Sequence, residues 1–84
     1  MLNMYNWAEI CSELKELEKR VDLKISRISD ENPNPIPHER IRKGKQIGTL
    51  SRALRQFIEL EQEKDATVVL HMLQDLGVKL KAVR

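Results

Sequence analysis

At 84 residues with a formal net charge of +2, the chain holds one small domain at most, and it lacks the bulk basicity that by itself marks a nucleic-acid binder. Its residues are 33% charged and 40% hydrophobic with only three aromatics, a composition that favours an all-α fold over a sheet. The lone cysteine, Cys11, excludes an internal disulfide, and His38 and His71 have no companions at metal-ligand spacing, so no structural metal and no cofactor is expected.

A chain this short buries a limited core, and of the usual reinforcements only oligomerisation is left, so a homodimer or higher oligomer is expected. The longest strongly apolar run, 68–70, is far too short to span a bilayer, and the N-terminus lacks a basic region followed by an apolar stretch. No membrane contact is expected, and the location expected is cytoplasmic.

The first element is a helix. Trp7, Ile10, Leu14, Leu17, Val21 and Ile28 recur at alternating spacings of three and four, a heptad-like seam that Lys24 interrupts with Ile25 beside it. Asn6 is suited to the N-cap, and Glu9 three residues on completes a capping-box pattern. Glu9, Glu13, Glu16 and Glu18 precede Lys19, Arg20, Lys24 and Arg27, an order that suits the helix dipole. The helix is predicted over 6–29, ended by Asp30, Asn32 and Pro33.

Pro33, Pro35 and Pro37 make 30–37 a stiff hinge, because each proline disfavours helix at the residue before it. Pro37 also suits the first turn of a second helix, predicted over about 38–64 with an apolar stripe of Ile47, Leu50, Leu54 and Phe57. Gly44 and Gly48 each disfavour helix by about 1 kcal/mol relative to alanine, so they mark either a late start or a close helix contact. Asp65 suits the cap of a third helix over 66–76, with Val69, Leu70, Leu73 and Leu76 as its buried stripe and Gly77 ending it in the left-handed conformation. The tail, 78-VKLKAVR-84, alternates apolar and charged residues as a short half-buried β-strand does. The predicted architecture is a helical hairpin of two long helices with a third, short or continuous, helix and a possible terminal strand.

The charges of the second helix run against its dipole. From His38 to Arg55 stand six basic residues (Arg40, Arg42, Lys43, Lys45, Arg52, Arg55) and one acid, while 59–65 carries four acids and one lysine. Cations at a helix N-terminus oppose the macrodipole by about 0.3–1 kcal/mol each when exposed. In a hairpin, Lys24 and Arg27 approach the same pole, and Glu9 and Glu13 approach the acids at the other end. An antiparallel second copy relieves this repulsion, and so does an acidic protein surface or a nucleic-acid backbone at the basic pole. A plain solvated face is the remaining alternative.

Catalytic patterns are missing. The stretch 44-GKQIG-48 lacks the length and the following Lys-Ser/Thr of a phosphate loop, and the carboxylate pairs sit among lysines at helical spacing. Neither an enzyme nor a small-molecule substrate is expected. The run 40-RIRKGK-45 supplies four cations, but no aromatic is interleaved for base stacking and no helix-turn-helix is visible. The expected function is therefore that of a small helical binding protein that self-associates and occupies a partner's surface, in the manner of compact inhibitors and adaptors. A nucleic-acid-binding regulator using 40–45 is the alternative. Arg40, Arg42, Lys43, Lys45 and Arg27 are the candidate partner contacts. Trp7, Ile10, Leu14, Leu17, Val21, Ile47, Leu50, Leu54 and Phe57 are the candidate core and oligomer interface.

Overall fold

Asn6 opens the first helix of the computed structural model, which describes residues 5–83. Its side-chain oxygen accepts the Glu9 N–H at 3.2 Å, the Asn6 half of a capping box. Helix α1 then runs Trp7–Glu31, two residues past the expected end, and Asn32 closes it in the left-handed conformation at φ 45°. Asparagine tolerates that conformation better than most residues. Pro37 stands at the N-cap of α2 (His38–Glu59), one position earlier than a first-turn proline, and its carbonyl accepts the Ile41 N–H at 3.1 Å.

Helix α2 passes through both of its glycines without a break. The reason is packing against α1. A Cβ on Gly44 would stand 3.3 Å from the Ile25 δ-methyl, and one on Gly48 would stand 3.8 Å from a Val21 γ-methyl. Bare backbone at Gly44 brings the two helices together, which offsets the poor helix propensity of glycine there, whereas a Cβ at Gly48 fits at ordinary contact distance.

Helices α2 and α3 are separate, and the boundary differs from expectation. α2 stops at Glu59 rather than near 64, and α3 spans Glu63–Asp75. Glu61 takes a left-handed conformation at φ 57°, with its N–H bonded to the Ile58 carbonyl and the Gln62 N–H bonded to the Phe57 carbonyl. This is a Schellman turn built on a non-glycine residue, so no glycine announces it in the sequence. Asp65 is not the cap of α3. It lies with Glu63 in the first turn, where negative charge complements the dipole. Part of the apparent charge conflict of α2 thus disappears, because Glu63 and Asp65 belong to the start of the next helix.

Gly77 ends α3 as expected, at φ 90°, with the Val78 N–H bonded to the Leu73 carbonyl at 3.0 Å. The strand expected over 78–83 does not form. Among the described residues there is no strand at all. The tail turns back on its own chain, buries Leu80 and partly buries Val78, Ala82 and Val83 against the core. Its amides are satisfied by a side chain instead of a ladder: the Glu13 carboxylate accepts from Lys81 N at 2.7 Å and from Ala82 N at 2.5 Å. The apolar–charged alternation reflects burial of Leu80 with Lys79 and Lys81 turned outward.

The fold is all-α, with α1 and α2 as a hairpin and α3 packed on α2. Its core lies at one end. Ile10 and Leu14 of α1, Leu54 of α2, Ala66, Val69, Leu70 and Leu73 of α3, and Leu80 form the buried cluster. All of these sit in the half that α3 and the tail cover.

A basic-rimmed groove at the loop end of the hairpin

Helix lengths determine where the hairpin is open. The 25 residues of α1 span about 37 Å and the 13 residues of α3 about 20 Å, so the third layer covers only the half next to the open end. Ile10, Leu14 and Leu17 continue along one face of α1 into Val21, Lys24 and Ile28, beyond the reach of α3. There the apolar stripe has no cover from the other described residues. Val21, Ile25, Ile28 and Ile47 are half-buried where their counterparts under α3 are sealed.

The uncovered stretch is a groove of about 470 Å³. Leu17, Val21, Ile25, Ile28 and Ile47 form its floor, together with the bare backbone of Gly44. Arg20 and Lys24 of α1 stand on one bank, Arg40 and Lys43 of α2 on the other. No carboxylate lines it. All four cations are exposed. The ion pairs among the described residues, Glu16–Lys19 and Glu18–Arg55, involve none of them. The lining contains neither imidazole nor thiol, and what it offers chemically is apolar contact inside a ring of positive charge.

The residues expected to form the basic pole divide into two groups. Arg40 and Lys43 belong to the groove, whereas Arg27, Arg42 and Lys45 are exposed outside it. Arg20 and Lys24 join the rim, although the sequence points to them only indirectly. Lys24 interrupts the α1 seam because it stands on the bank of the groove, and Arg20, three residues after Leu17, lies on the same side. Arg55 leaves the basic pole altogether. Its Nε and Nη2 donate to the two Glu18 carboxylate oxygens at 2.6 and 2.9 Å, across the α1–α2 contact. That hydrogen bonding with Glu18, against a smaller opposing effect of burial, holds the Arg55 guanidinium above its ordinary pKa.

The expected core and oligomer residues also separate. Ile10, Leu14 and Leu54 are fully buried inside the chain and have no surface to give a second copy. Trp7, Leu17, Leu50 and Phe57 pack partly against that core, Ile47 both packs against it and floors the groove, and Val21 lies in the groove. At the opposite end, a smaller hollow of about 370 Å³ is lined by Trp7, Phe57, Ile58 and Ala66, with Glu61, Gln62 and Glu63 at its edge. The molecule therefore carries an apolar surface with basic borders at one end and one with acidic borders at the other, along a long axis of 51 Å. No helix among the described residues is long and apolar enough to cross a membrane. No protein-family model, curated protein or solved structure matches the chain.

Proposed function

We propose that this chain is a non-enzymatic helical binding protein that self-associates and uses its basic loop end to occupy an acidic partner protein surface. The observation that carries the reading is the half-covered hairpin. Two helices present an apolar groove bordered by four cations and no acid, and α3 stops short of filling it. An apolar surface ringed by unpaired charge of one sign gains from a partner twice, by losing water-exposed hydrocarbon and by meeting opposite charge. Outside the groove, Arg27, Arg42 and Lys45 add exposed positive charge around the same pole.

A nucleic-acid regulator is the second reading, favoured by the exposure of Arg40, Arg42, Lys43 and Lys45 on the first turns of one helix. Capture from the native host's extract, with and without nuclease, separates the two. Retention of a protein that survives nuclease and is lost with Arg42→Glu/Lys45→Glu supports the protein partner. Retention abolished by nuclease, together with affinity for generic DNA or RNA that falls steeply with salt, establishes the alternative.

A further inference from the structure

The outer face of α3 carries the complement of the groove. α3 buries Ala66, Val69, Leu70 and Leu73, which turns Val68 and Met72 to the opposite side, where they are 59% and 44% exposed. The same face holds Asp65 and Asp75, both exposed, at spacings of three, four and three with that apolar pair. It is a short acidic amphipathic stripe with two apolar residues at its centre. Lys64 and His71 border it on one side.

Each chain thus has the outline of a step. One half of its face is raised by α3 and bears acids around Val68 and Met72. The other half is recessed and bears cations around Val21, Ile25 and Ile28. We infer that two copies interlock antiparallel, face to face, each seating the outer face of its α3 in the groove of the other. This rests on the self-association part of the function proposed above, assigns the groove to the second copy, and leaves the acidic partner to Arg27, Arg42 and Lys45, exposed outside the groove.

Three observations support a second copy as the occupant. The charges complement: Asp65 and Asp75 meet a rim of Arg20, Lys24, Arg40 and Lys43. The lengths also agree, since the floor from Leu17 to Ile28 runs about 17 Å, three turns of helix, close to the length of α3. Finally, a two-fold axis makes the contact twice, so the pair closes on itself instead of growing into a filament. A standard interface takes about 800 Å² from each partner, roughly an eighth of this chain's 6454 Å².

Sedimentation velocity on the full chain tests the arrangement with three variants, all altered at exposed residues so that the fold is spared. Val68→Asp/Met72→Asp puts charge into the apolar centre and raises the dimer dissociation constant at least about tenfold. Arg20→Glu/Lys24→Glu/Arg40→Glu/Lys43→Glu reverses the whole rim and gives an acidic groove facing an acidic α3, and Asp65→Lys/Asp75→Lys gives a basic α3 facing a basic groove, so each is monomeric alone. Mixed together, these two restore a dimer, because each groove now meets a helix of opposite charge. Dimerisation unaffected by V68D/M72D, or failure of the mixed pair to associate, overturns the interlock while leaving self-association in place. A wild-type chain that stays monomeric at high micromolar concentration overturns self-association itself.

Discussion

The Glu18 carboxylate binds the Arg55 guanidinium through two parallel hydrogen bonds, 2.6 and 2.9 Å long, across the contact between the two long helices. Glu18 is 9% exposed, so this pair fixes the register of the hairpin with a charge that needs its partner. Arg55→Met leaves that carboxylate unpaired at a buried position. The expected loss of stability is about 1–3 kcal/mol by urea denaturation. Arg55→Lys recovers little of it, because an ammonium cannot reproduce the two-pronged geometry. A loss within the ±0.5 kcal/mol or so of ordinary surface substitutions removes the pair from the account.

The tail is the second fastening. Glu13 accepts from the backbone of Lys81 and Ala82, and Leu80 is buried beside it. Glu13→Ala is expected to lower stability by about 1–2 kcal/mol and to strip hydrogen-exchange protection from the Lys81 and Ala82 amides. Leu80→Ala leaves a cavity in the core cluster and is expected to cost about 2–3 kcal/mol, measured the same way. Unchanged protection at 81 and 82 in the first variant contradicts the clasp.

Two glycines should respond in opposite directions. A methyl at Gly48 meets Val21 at ordinary contact distance, 3.8 Å, inside a helix. Gly48→Ala is therefore expected to stabilise by about 0.5–1 kcal/mol through helix propensity. Gly77 has open space around it but sits at φ 90°. Gly77→Ala strains the backbone that ends α3 and is expected to destabilise by about 1 kcal/mol. Thermal denaturation of both variants checks the contrast.

Burial pushes the Cys11 thiol above its ordinary pKa, with the Arg55 charge acting weakly the other way. The folded chain therefore holds the Cys11 proton more tightly than the unfolded chain does. Its contribution to stability is full below the unfolded value, about 8.5, and is lost as pH rises through the higher folded value. Comparing alkaline unfolding of wild type with Cys11→Ser isolates the effect: the wild type loses stability faster with rising pH. Alkylation of this single thiol is also slower in the native chain than in urea. Equal slopes with pH, or equal alkylation rates, contradict the assignment.

What the sequence showed of this molecule follows from what periodicity and capping chemistry encode. The α1 seam, the Asn6 cap, the proline hinge and the Gly77 stop are local signals, and all four appear in the structure. The turn after α2 was hidden because Glu61 adopts the left-handed conformation usually announced by glycine. The tail departs from the expected strand because alternation is shared by strands and by any extended segment with one buried face, and the Glu13 acceptor lies far away in sequence. The groove is legible only afterwards. It depends on α3 being shorter than the hairpin and on which side of α1 it packs, and neither fact is carried by a local pattern. Lys24, an apparent flaw in the seam, was the one clue that the face beyond Leu17 has a different use.

The proposed binding surface is the uncovered groove. Methyl NMR on isoleucine- and leucine-labelled protein tests it most directly, following the spectrum as concentration is raised and again at high salt. The δ-methyls of Ile25 and Ile28 are expected to shift with concentration and return at high salt, while those of the buried Leu14 and Leu73 hold still. Association of the chain with the Ile25 and Ile28 methyls unmoved would contradict it.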